Sequence, residues 1–185
     1  MKRILTILAA LMVFSCLTVK SEEYDYEARL GWVPGDIINL IFMLGEDVTG
    51  ENSYGPMKTA GIFSADFDFK VKNWLTVGAK VSYRNAWREL RSTDSRNEIE
   101  DIDRIEAASI MPTLNFTTGY HSIFRYYATF GLGAGMDMSN GINEEFVAFQ
   151  FTPIGISVGK KVSWYFELGA GHAFAGFITG LSYRF

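Results

Sequence analysis

Nine charged side chains carry most of the chemistry this sequence could perform: Asp66, Asp68, Asp137 and Glu167 on the acidic side, Lys70, Lys80, Arg84, Arg125 and Arg184 on the basic side. Asp66 and Asp68 stand two residues apart, a spacing that puts both carboxylates on one face of a strand. Such a pair could do general acid-base work if a substrate could reach it. The same nine charges could equally neutralise one another. Other chemistry finds little support. His121 and His172 are the only histidines, and they fall at opposite ends of the strand pattern described below. No group of His, Cys, Asp or Glu has metal-ligand spacing, so neither a metal nor a cofactor is expected. Ser139 has no base beside it, and without one a hydroxyl is a poor nucleophile.

Which use the charges serve depends on the elements that hold them. Alternation of apolar and polar residues predicts eight strands, over 24–32, 58–71, 74–87, 105–120, 123–138, 145–158, 162–171 and 175–185. In the second, Phe63, Ala65, Phe67, Phe69 and Val71 alternate with Ser64, Asp66, Asp68 and Lys70. The third sets Leu75, Val77, Ala79, Val81 and Tyr83 against Thr76, Gly78, Lys80, Ser82 and Arg84. The fifth sets Phe124, Tyr126, Phe130 and Leu132 against Arg125, Tyr127, Thr129, Asp137 and three glycines, and the seventh sets Trp164, Phe166 and Leu168 against Tyr165 and Glu167. No charge interrupts the apolar sets. In the sixth strand the phase changes near Pro153, where a bulge or a gap in the ladder is expected.

The connections alternate in length. Those at 72–73, 121–122 and 159–161 are short turns, whereas 33–57 and 88–104 are long; 139–144 and the joint around His172, which should belong with the long ones, are shorter. An even strand count with one short-turned end and one long-looped end is the asymmetry of a transmembrane β-barrel. No hydrophobic run after the N-terminal region is long enough for a membrane helix, and a membrane protein without one has to be a barrel. Alternation alone does not say which face is inside: a soluble lipocalin-like barrel would enclose the apolar stripe around a ligand. Tyr and Trp near strand ends (Trp74, Tyr83, Trp87, Tyr120, Tyr126, Trp164, Tyr183) and glycines on the polar face favour lipid outside. The nine charges then face a narrow lumen, where unpaired charge is costly. A salt-bridged plug is expected; the sharper alternative is a polar path for a small solute or ion, for which eight strands leave little room.

The two ends of the chain agree with this reading. Phe177, Thr179, Leu181, Tyr183 and Phe185 share one face of a last strand that stops on an aromatic residue. Gly180-x-x-Tyr183-x-Phe185 resembles the C-terminal insertion signal of bacterial outer-membrane β-barrels, with Ile178 where a polar residue is usual. The resemblance is to small barrels of the OmpX and OmpA transmembrane type; it implies an outer-membrane location in a Gram-negative bacterium, with the barrel-assembly machinery, outer-membrane lipid and lipopolysaccharide as partners. At the other end Lys2 and Arg3 precede an apolar run over 4–19, the anatomy of a signal peptide. Cleavage after Ser21 would divide the chain into a signal peptide, 1–21, and a barrel domain, 22–185. A competing reading acylates Cys16, the single cysteine, although Val13-Phe14-Ser15 before it lacks the usual Leu and has a bulky Phe where a small residue is expected.

Removal of residues 1–21 takes three of the 17 basic groups and none of the 21 acidic ones, so the formal charge falls from −4 to −7. Nucleic acid is not expected as a partner. Ser139-Asn140-Gly141 is similar to the Ser-Asn step of lipid A deacylases, but those place a His two residues before the Ser and this chain has Asp137 there; turn chemistry explains Asn140-Gly141 as well. Function is expected in the surface loops. In the first, Asp36 as N-cap and Gly45 as stop predict a short helix whose apolar residues, Ile37, Leu40, Ile41, Phe42 and Leu44, need a rim, a barrel mouth or a partner to cover them. The second, 88–104, is dense in charges of both signs and reads either as a solvated β-ribbon or as a contact for a surface protein or polysaccharide. The expectation is an all-β, eight-stranded barrel with a non-enzymatic structural or surface-interaction role; a narrow channel, a lipid-modifying enzyme and a lipocalin-like binder are the alternatives.

Overall fold

The computed structural model describes residues 25–33, 58–91, 99–118, 123–141 and 143–185. The expected signal peptide and Cys16, the first-loop helix and His121 lie outside the described residues. Eight strands run in order: β1 (Tyr26–Val33), β2 (Lys58–Lys72), β3 (Leu75–Arg91), β4 (Ile99–Thr118), β5 (Phe124–Asp137), β6 (Glu144–Gly159), β7 (Val162–Gly171) and β8 (Gly176–Arg184). Each pairs antiparallel with the next, and β8 returns to β1, closing an eight-stranded barrel. Among the described residues no helix is long and apolar enough to cross a membrane, and the helical content is one 3₁₀ turn, Ser139–Gly141.

The period-two alternation sorts into an inverted polarity. Leu30, Val147, Val162 and Leu181 are each at least 60% exposed on the outer wall, whereas Lys80, Gln150 and Glu167 inside are 0% exposed. Large inward side chains need room across a narrow lumen, and glycines provide it. A Cβ on Gly31 would stand 2.2 Å from the Tyr165 hydroxyl, and one on Gly155 would stand 2.3 Å from the Tyr127 ring.

The phase change in β6 falls at Pro153. Between Tyr127↔Gly155 and Thr129↔Thr152 the sixth strand advances three residues while β5 advances two, and the β7 ladder slips over the same stretch, from Phe151 to Ile154. The extra residue puts Pro153 and Ile154 on the outer face in succession, so the proline meets no demand for an N–H it lacks.

Strands β3 and β4 extend further than their apolar alternation predicts. Pairing of β2 with β3 ends at Lys58↔Trp87, and that of β4 with β5 at Ala107↔Asp137, yet β3 and β4 stay paired out to Arg91↔Ile99. Much of the charged 88–104 segment is therefore a two-stranded ribbon. Alternation is a signal of a half-buried sheet, and the charged 88–104 segment does not display it. The seam at the opposite end is closed by the last residue: Tyr26 and Phe185 exchange backbone hydrogen bonds of 3.0 Å each, and their rings stack at 5.7 Å.

Candidate functional site

The interior is layered along the barrel axis, and the middle layer is ionic. Glu167 on β7 is its centre, accepting hydrogen bonds from Arg29 Nη1, Lys80 Nζ and Tyr127 Oη, each at 2.9 Å. Lys80 also reaches Asp66 at 3.3 Å. Arg29 binds Asp68 through its other terminal nitrogen, and its guanidinium lies 5.0 Å from the Tyr127 ring centroid. Asp68 in turn accepts from Asn115 Nδ2 at 2.7 Å. Six strands, β1 to β5 and β7, thus meet at a few carboxylate oxygens. Alternate positions on each strand deliver the side chains, so the pleat itself fixes the constellation.

Towards the short-turn end, Arg125 forks onto Glu27 with two contacts of 2.7 Å and donates to Ser157 at 3.0 Å. Arg184 closes that end by donating to the Gly159 carbonyl at 2.6 Å and to Ser163 at 3.1 Å. Lys70 pairs there with Asp25 at 3.7 Å. The space left between Glu27, Arg29, Asp68, Arg125 and Tyr127 is a cavity of about 10 Å³, room for a single water.

Towards the long-loop end the interior becomes apolar. Val33, Ile62, Met111, Ala148, Tyr165, Ala173, Phe174 and Ile178 form one fully enclosed cluster with Phe146 packed against it. The β7–β8 connection supplies its centre. Gln150 Oε1 accepts from the backbone N–H groups of Ala173 and Phe174, at 3.1 and 3.3 Å, which turns the connection into the barrel mouth. Phe174 then covers the Lys80 ammonium, 5.3 Å from its ring centroid.

Of the sequence-predicted charges, Asp66, Asp68, Lys80 and Glu167 meet in the central layer, and Arg125, Arg184 and Lys70 lie nearer the turns. Arg84 and Asp137 stand apart at the loop end, half-buried, and Asp137 accepts from the Ser139 N–H at 2.8 Å. Asp66 faces Lys80 and Asp68 faces Arg29, and both cations also reach Glu167. Ser139 Oγ accepts from the Glu106 N–H at 3.3 Å, a turn contact. His172 stacks on Phe146 and meets Phe149 edge-on, each 4.8 Å away between ring centroids. Among the described residues no group of three His, Cys, Asp or Glu could hold a metal ion. Tyr183, the inner aromatic of the C-terminal pattern, stacks on Phe185 at 5.8 Å, and Gly180 lies opposite Gly31 across the seam.

Two residues central to the network, Glu27 and Arg29, are not among those predicted, although the signal was present: Glu27, Arg29 and Gly31 alternate with Ala28, Leu30 and Trp32. The apolar layer carried no such signal, because Val33, Ile62 and Ile178 occupy positions that alternation assigns to polar side chains. No protein-family model matches this chain, and a search of curated proteins finds no match.

Proposed function

We propose that this chain is an outer-membrane β-barrel of the small OmpX and OmpA transmembrane type, exported by a signal peptide, with a structural and surface-interaction role and no enzymatic one. The inverted polarity carries the reading. An outer wall on which Leu30, Trp32, Phe130, Phe151, Trp164 and Leu181 are exposed at 45–68% is far larger than the apolar patches soluble monomers present. Hydrocarbon is the solvent that suits it. Closure of all eight strands also leaves no unpaired sheet edge within the wall.

The filled interior supports a plug in preference to a conduit. Five carboxylates (Asp25, Glu27, Asp66, Asp68, Glu167) and four cations (Arg29, Lys80, Arg125, Arg184) are buried within it, and charges in such a place are tolerated when they are paired. Interaction with the outside falls to the long-loop end, where the β3–β4 ribbon projects, and a surface protein or polysaccharide is the proposed partner class.

Gel mobility of the protein from isolated outer membranes, boiled and unboiled, tests the proposal. A heat-dependent shift in that fraction is expected, because small barrels stay folded in detergent until heated. Recovery as a soluble periplasmic protein without a shift would overturn it.

A further inference from the structure

At the long-loop end, where the β2 and β5 pairings run out, three successive cross-strand pairs share one face of β3 and β4: Asn85↔Glu106, Trp87↔Arg104 and Glu89↔Ile102. Side chains of Asn85, Trp87, Ile102, Arg104 and Glu106 line a depression of about 310 Å³ there. This lies within the size range of small-molecule sites, and an aromatic wall with a few convergent polar groups is their usual composition. The interior plug does not require it, and a place for Trp87 among the strand-end aromatics accounts for the ring but not for the polar groups around it.

We propose that this depression binds a neutral saccharide unit. A sugar ring has an apolar C–H face and a rim of hydroxyls that both donate and accept. Trp87 supplies a broad flat surface for the first, and the amide, carboxylate and guanidinium around it supply acceptors and donors for the second. The amide is held in place: Asn85 Nδ2 donates to Tyr83 Oη and to Glu106 Oε1, each at 3.2 Å, which leaves Asn85 Oδ1 and Glu106 Oε2 as acceptors. Charge decides against an anion. Arg104 is offset by Glu106 in the same depression, and the nearby Lys58 is bonded to Glu89. Among the described lining residues a phosphate would meet one carboxylate and one guanidinium, with no surplus of positive charge. The source of the sugar, a surface polysaccharide or glycolipid glycan above the outer leaflet, rests on the proposed outer-membrane reading; the pocket's chemistry does not.

The test uses the full chain folded in a zwitterionic detergent that carries no sugar. Saturation-transfer NMR is recorded with neutral oligosaccharides of glucose, galactose, mannose and N-acetylglucosamine, and with inorganic phosphate as competitor. Transfer to the ring protons of at least one oligosaccharide is expected, weakened at least tenfold by Trp87→Ala and by Glu106→Gln, with the heat-dependent gel shift intact in both variants. Absence of transfer with all four, transfer that survives both substitutions, or transfer displaced by phosphate would overturn the proposal. Sugar binding by a protein that fractionates outside the membrane would retain the site and sink the outer-membrane reading instead.

Discussion

Glu27 on β1 and Arg125 on β5 lie 98 positions apart in the chain and meet inside the barrel through a two-point ion pair, 2.7 Å at each contact. They stand four strands apart on the closed sheet, so the pair spans the lumen. Neither strand pairs with the other through its backbone. The ion pair therefore acts as a strut that the hydrogen-bonded wall does not provide, and it is the two-pronged geometry that makes guanidinium the fitting partner for a carboxylate here.

Replacing Arg125 by Leu leaves Glu27 buried without its strongest partner, and a loss of about 3–5 kcal/mol is expected. The double variant Glu27→Leu with Arg125→Leu should recover much of that loss, since it removes both charges. Urea unfolding of the barrel in detergent, read as a double-mutant cycle, checks this. If the double variant is no more stable than Arg125→Leu, the charge-pairing account of the strut fails.

Glu167 should be the most sensitive acid in the lumen, because Arg29, Lys80 and Tyr127 all donate to it. Glu167→Gln leaves two buried cations short of negative charge, and Lys80 then depends on Asp66 alone among its described ion-pair partners. The expected loss is again about 3–5 kcal/mol, against about 1–2 kcal/mol for Tyr127→Phe, which removes one hydrogen bond and keeps the ring. Midpoints of heat-modifiability on gels rank the two variants; an equal effect would count against Glu167 as the hub.

How far the sequence discloses this arrangement depends on the position. Asp66, Asp68, Lys80 and Glu167 stand out because each sits polar among alternating apolar neighbours. The strands meet at them without any sequence motif, since only barrel closure brings β2, β3 and β7 to one point. The apolar layer was not legible for the complementary reason: Ile62 and Ile178 break the alternation, and Phe174 lies in a connection that its spacing marks as a rim. Its burial depends on Gln150, whose side-chain carbonyl captures the Ala173 and Phe174 amides from another strand. Likewise, the depression beside Trp87 requires the β3–β4 register, which alternation in a charged ribbon does not specify.

The apolar layer and the ionic layer make separate predictions about conduction. Phe174→Ala removes the ring over Lys80 and leaves a cavity at the barrel mouth, at a cost of about 3–5 kcal/mol. Because the ionic layer still fills the lumen beneath it, planar bilayers should record no new conductance. Steady channels in the parent protein would favour the conduit over the plug, and channels only in the variant would assign the seal to Phe174 alone.

Phe185 closes the β1–β8 seam and is proposed to belong to an insertion signal, and substitution distinguishes the two. Its ring lies among Tyr26, Phe67 and Tyr183, with centroid separations of 5.7, 6.2 and 5.8 Å, and its backbone exchanges hydrogen bonds with Tyr26 across the seam. Phe185→Asp places charge in that aromatic cluster while sparing the backbone pairing, so barrel yield in the outer membrane should fall severely. Phe185→Tyr keeps the stacking and should assemble normally. Detergent refolding of purified chain separates the causes: a Phe185→Asp barrel that refolds in vitro but fails to accumulate in cells implicates recognition by the assembly machinery. Failure in both settings implicates closure of the β1–β8 seam, and normal accumulation in cells would remove Phe185 from the insertion signal.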